Sequence, residues 1–115
     1  MIQEQPKQRG PTQNALMWTG PLADISAQCW VSGRRFSDVV WHEYFKAQYL
    51  PEQYDPELCL RDDYTKWDFD PAGNRVLVGS TTELTVKGFA QYLEQIFAHG
   101  ANNGVEFSAD PRQYK

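Results

Sequence analysis

Long hydrophobic runs are missing from this chain. No apolar stretch among its 115 residues approaches the ~18 that a membrane-spanning helix requires. The opening segment, MIQEQPKQRGPTQN, has no apolar core, so no secretory signal is expected. Cysteine is scarce. Cys29 and Cys59 form no C-x-x-C pair, and His42 and His99 form no H-x-x-x-H pair. A zinc site would have to gather four ligands from separate elements, and none is expected. The two thiols read as reduced groups of a cytoplasmic protein in preference to a Cys29–Cys59 disulfide. There is no G-x-S-x-G and no Walker sequence, so no catalytic residue and no cofactor is expected. Repeats and low-complexity tracts are absent too.

What is abundant is aromatic. Phe, Trp and Tyr make up 14% of the chain, with four Trp, six Tyr and six Phe. Such a load implies an aromatic core, or aromatic surfaces that stack or associate. At 41% apolar and 23% charged, the composition is that of one globular domain over residues 1–115. The net charge of −4 opposes a phosphate backbone, but it is unevenly spread. Residues 1–46 carry five bases against four acids, and residues 47–85 carry three against eight. A nucleic-acid surface must therefore be local, built mainly from the N-terminal half or from that half doubled in an oligomer.

The periodicity predicts an α+β chain with three main helices and a small antiparallel hairpin. Residues 1–11 form a lead-in arm, punctuated by Pro6, Gly10 and Pro11, with Met1–Gln5 as a candidate edge strand. Thr12 is the expected cap of a first helix, whose apolar face is Ala15, Trp18, Leu22, Ile25 and Cys29. Pro21 should kink or break it. After a loop at Ser32-Gly33-Arg34-Arg35, Ser37 caps a second helix with the stripe Val40, Trp41, Tyr44, Phe45 and Tyr49, ended by Pro51. Residues 51–74 are an irregular acidic region. Asp70-Pro71-Ala72-Gly73-Asn74 is a turn between strands at Lys66–Phe69 and Arg75–Val78. Thr82 or Thr85 caps a third helix with Val86, Phe89, Ala90, Leu93, Ile96 and Phe97 on one face. Gly104 is its C′ residue, and Val105–Phe107 follows as a short strand.

Among candidate sites, the basic and aromatic residues of the N-terminal half carry the most chemistry. Lys7, Arg9, Arg34 and Arg35 offer cations for phosphates, Gln13 and Asn14 offer amides at a helix start, and Trp18 and Trp30 offer faces for unstacked bases. The bland reading is a set of solvated arginines and core tryptophans. Asp62, Asp63, Asp68 and Asp70 are an alternative Mg²⁺ site for a nuclease, although turn formation and solvation are the favoured account of them. A third possibility is a protein-interaction module built on the aromatic surface and residues 51–74.

The ordered set of motifs resembles the NinB family of phage recombination proteins. Ile2-Gln3-Glu4, Thr12-Gln13-Asn14-Ala15-Leu16-Met17-Trp18 and Leu22-Ala23-Asp24-Ile25-Ser26-Ala27-Gln28 are similar to its opening D-Q-N-x-x-L-W … L-x-D-I/V-S. Trp41-His42-Glu43-Tyr44-Phe45 stands where the family has W-K-x-x-F. Val76-Leu77-Val78-Gly79-Ser80-Thr81-Thr82, Val86-Lys87-Gly88-Phe89-Ala90, Leu93-Glu94 and Gly104-Val105-Glu106-Phe107-Ser108 follow V-V-x-G-x-S-T … V-x-E-F-x-x-L-L-E … G-V-x-W-S. The resemblance implies an intertwined α+β homodimer without enzymatic activity. It implies a mediator that binds single-stranded DNA and meets the host single-strand-binding protein to help load a recombinase. Carried across, the DNA-contacting unit is Gln13, Asn14 and Trp18. Glu83-Leu84-Thr85 replaces a basic family segment, which leaves Lys87 as the nearby cation. By this resemblance the chain starts near the family's second strand, so an N-terminal strand–helix segment is expected to be absent.

Overall fold

Pro21 sets the shape of the first helix. It brings no N–H to the carbonyl four residues before it, so a regular α-turn cannot pass through it. In the computed structural model, which describes residues 11–108, the chain answers with a wider turn. Helix α1 (Pro11–Met17) runs into a π-helical turn at Trp18–Leu22 and continues as α2 (Ala23–Gln28). The expected break is thus a π-bulge, a known way to absorb an irregular residue without ending a helix. The extra residue also rephases the apolar face. Met17, Leu22 and Ile25 are buried with the following Cys29, whereas Ala15 faces solvent. Thr12 lies within α1 instead of capping it, and the edge strand expected at Met1–Gln5 falls outside the described residues.

Helix α3 (Asp38–Tyr49) begins where Ser37 Oγ accepts the Val40 N–H at 3.2 Å, and Leu50 ends it before Pro51. Residues four apart on α3 make an aromatic ladder. Trp41 stacks on Phe45 with centroids 5.3 Å apart, and Phe45 stacks on Tyr49 at 5.8 Å. Strands β1 (Trp67–Phe69) and β2 (Arg75–Leu77) pair antiparallel, with Asp68 opposite Val76. Their turn is held by Asp70 Oδ1, which accepts N–H groups from Ala72 and Asn74.

Helix α4 (Val86–Asn102) is the central element. Thr85 Oγ1 accepts the Gly88 N–H at 2.9 Å, so Thr85 is the cap, and Thr82 belongs to a preceding 3₁₀ turn at Thr81–Glu83. The helix closes through a Schellman motif: Gly104 takes φ +80°, its N–H donates to Ala101, and the Val105 N–H donates to Gly100. Phe89, Tyr92, Leu93, Ile96 and Phe97 pack with Met17, Leu22, Ile25, Trp41 and Phe45 into one core. The strand expected at Val105–Phe107 does not form. That segment is tied down by side chains instead. Gln28 pairs with the Glu106 backbone through both amide atoms at 2.8 and 2.9 Å, and Asp24 Oδ2 accepts the Ser108 N–H and hydroxyl. Both cysteines are buried free thiols.

Candidate nucleic-acid interface

Arg34, Arg35, Lys46, Arg61, Lys66, Arg75 and Lys87 are the cationic side chains between residues 11 and 108. Four of them already have acidic partners. Lys46 pairs with Glu43, Arg61 with Asp63, Lys66 with Glu52, and Lys87 with Glu57. The other three lie over aromatic rings: Arg34 over Phe36 at 4.1 Å, Arg35 over Trp30 at 5.3 Å and Arg75 over Trp67 at 3.9 Å. Among the described residues none of these three guanidiniums pairs with a carboxylate. A cation fixed on a ring and left without a counter-ion is ready for an external anion.

Local backbone chemistry puts Arg34 and Arg35 where they are. Ser32 and Gly33 both take left-handed φ, 52° and 80°, and Val31 and Arg34 exchange backbone hydrogen bonds of 2.8 and 3.1 Å. This is a tight two-residue reversal, for which glycine is suited. Arg35 then donates to the Ala27 carbonyl at the end of α2, at 3.1 Å, where the helix dipole favours a cation. Trp30 beside it is 62% exposed.

Next to this turn lies a groove of about 380 Å³ lined by Val31, Phe36, Val40, Trp41, Tyr44, His99 and Asn103, with no acid among them. Phe36 and Tyr44 each meet the Trp41 ring edge-on, at 83° and 84°. Trp41 is only 5% exposed, and its Nε1 has no hydrogen-bond partner among the described residues. Burial holds the His99 pKa below the usual histidine value, which keeps the ring neutral at pH 7. Sequence reasoning assigned Trp41 and Tyr44 to a packing stripe and missed this groove. The signal was the excess of aromatics on α3 over what one core face needs.

The Gln-Asn-Trp unit lies elsewhere. Trp18 is half-buried, its ring 4.7 Å from that of His42 on α3. Asn14 Oδ1 and His42 Nδ1 are buried without partners among the described residues. His42 is pushed below its ordinary pKa by burial and by Lys46, against an opposing pull from Glu43. His42 and Tyr44 are two residues apart on α3, about 200° around its axis. The Trp18 cluster and the arginine-flanked groove therefore occupy different sides of that helix. Among the described residues, Trp18 and the Arg34–Arg35 turn thus do not form one patch. Gln13 is half-buried in α1, Lys87 is engaged by Glu57, and Lys7 and Arg9 lie outside the described residues.

The acidic residues do not converge. Asp63 holds Arg61, Asp68 accepts its neighbour Phe69 N–H, Asp70 organises the hairpin turn, and Asp62 is exposed. Among the described residues no three His, Cys, Asp or Glu side chains stand together to hold a metal ion. No helix in this span is long and apolar enough to cross a membrane.

A family model described as NinB protein matches residues 1–108. The chain belongs to the NinB family. A solved NinB structure from structural genomics is 31% identical, with a TM-score of 0.60, covering 94% of this chain and 68% of that one. Among curated proteins, fibrocystin-L of Homo sapiens is 45% identical over 53 residues, which is 44% of this chain and 1% of that protein. The NinB-like segments at the two ends of the chain meet in the fold. Asp24 and Gln28 of one hold Glu106 and Ser108 of the other, so these motif residues serve the scaffold.

Proposed function

We propose that this NinB chain is a non-catalytic phage or prophage recombination accessory protein. It binds single-stranded DNA as a homodimer and helps a recombinase load onto strands covered by the host single-strand-binding protein. The observation that carries the DNA reading is the Arg34–Arg35 turn: two guanidiniums that pair with no carboxylate among the described residues, each on a ring, beside an exposed Trp30. Single strands are gripped by this combination of cations and stacking faces. Pairing of two copies doubles both the turn and the Gln13-Asn14-Trp18 unit, which one protomer keeps on different sides of α3. The test is fluorescence anisotropy with an oligonucleotide at low salt, alongside native mass. A dimer that binds supports the reading, and a confirmed dimer that does not bind ends it.

A second reading, a protein-interaction module without DNA contact, is favoured by the hairpin. Phe69 is 67% exposed, with Val76 and Val78 exposed nearby. Capture of the host single-strand-binding protein that persists after nuclease treatment, together with no oligonucleotide binding, would select it.

A further inference from the structure

We propose that the groove beside the Val31–Arg34 turn is a subsite for one unstacked nucleobase, with Arg34 placed to take the adjoining phosphate. This rests on the strand-binding reading above and adds where, and how, a base is held.

Two observations favour a base as the occupant. The groove is walled by rings: Phe36 and Tyr44 stand nearly perpendicular to Trp41, and His99 approaches Trp41 and Tyr44 with centroids 5.6 and 6.0 Å away. Flat apolar walls suit a flat π-system, which stacks regardless of base identity. Charge completes the match. No acid lines the groove, and Arg34, over Phe36, pairs with no carboxylate among the described residues, so a base in the groove sets its backbone against an uncompensated guanidinium.

The experiment compares an intact oligothymidylate with a strand of equal length carrying abasic sites, using the full chain, by anisotropy. The wild-type protein is expected to bind the abasic strand about tenfold more weakly. Tyr44→Ala should bind both strands alike, at the abasic level, while Tyr44→Phe keeps the preference. Native mass is recorded for each variant. Equal wild-type affinity for the two strands would overturn the subsite and leave a phosphate-only version of strand binding standing. A preference that survives Tyr44→Ala would place base contact elsewhere and also overturn it. So would a Tyr44→Ala variant whose native mass falls with its base preference intact, since the groove would then be a contact between copies. Failure to bind either strand would remove the strand-binding reading and the subsite together.

Discussion

The ammonium of Lys66 donates to the carbonyl oxygen of Leu50 across 3.0 Å, and so caps the end of α3 from the edge of the hairpin. The Lys66 side chain is fully buried, and Glu52, at 2.6 Å, is its charge partner at the surface. Glu52 also accepts the Trp67 indole N–H, so one carboxylate ties the irregular region to β1. Removing Lys66 leaves a buried carbonyl unpaired, which costs about 1–3 kcal/mol. Glu52 is two-thirds exposed, but the ammonium it neutralises is fully buried, so removing the carboxylate leaves a desolvated cation without its counter-charge. Urea unfolding at pH 7 should therefore show Lys66→Met and Glu52→Gln both destabilised.

Two buried tyrosines make opposite predictions. Tyr64 donates its hydroxyl to the Pro51 carbonyl at 2.7 Å, whereas the Tyr92 hydroxyl is buried with no partner among the described residues. Burial raises both pKa values far above the ordinary tyrosine range, so neither ionises at accessible pH. Tyr64→Phe should lose about 1 kcal/mol, while Tyr92→Phe should be neutral or stabilised, because it deletes a desolvated group that gained nothing. Paired denaturation curves check the sign of each.

Gly88 sits in the first turn of α4, where alanine is the better helix former by about 1 kcal/mol. A Cβ there would overlap the Leu58 carbonyl oxygen, which is backbone and has no room to yield. Gly88→Ala should thus destabilise by about 1–3 kcal/mol against its propensity. Gly100→Ala meets the tip of the Phe107 ring, a side chain able to shift, and should cost less. Thermal melts of both variants rank them.

Stability should fall on acidification in two stages. Burial lowers the His99 pKa, and burial with Lys46 lowers that of His42 despite Glu43, so the folded state takes up these protons less readily than the unfolded chain. Their contribution is complete above the ordinary histidine value of about 6.5 and is lost as pH falls below it. Glu52, lowered by hydrogen bonds from Lys66 and Trp67, adds a smaller loss below the ordinary carboxylate range. Melting temperature followed from pH 7.5 to 4 should decline first near pH 6, and a His42→Gln variant should flatten that first decline.

Local chemistry was legible in the sequence. The Ser37 and Thr85 caps, the Asp70–Asn74 turn and the Gly104 helix end each depend on a few adjacent residues, and each forms. Pro21 announced an irregularity, but its form, a π-turn that moves Met17 into the core in place of Ala15, depends on packing beyond the local pattern. Long-range pairings were invisible. Asp24 and Ser108 are 84 positions apart, and Lys87 and Glu57 are 30 apart. For the candidate interface, the right residue types were evident, but α3 divides Trp18 from the Arg34–Arg35 turn, and the groove walled by Trp41 and Tyr44 read as ordinary core.

The central claim is that Arg34 and Arg35 neutralise phosphates of a single strand. Its most direct test is the salt dependence of oligonucleotide affinity, measured for the wild-type chain and an Arg34→Ala/Arg35→Ala variant. Each phosphate contact contributes about −0.7 to the slope of log affinity against log salt on single strands, so the variant should bind more weakly with a slope shallower by about 1.4. A variant with wild-type affinity and slope would contradict the claim.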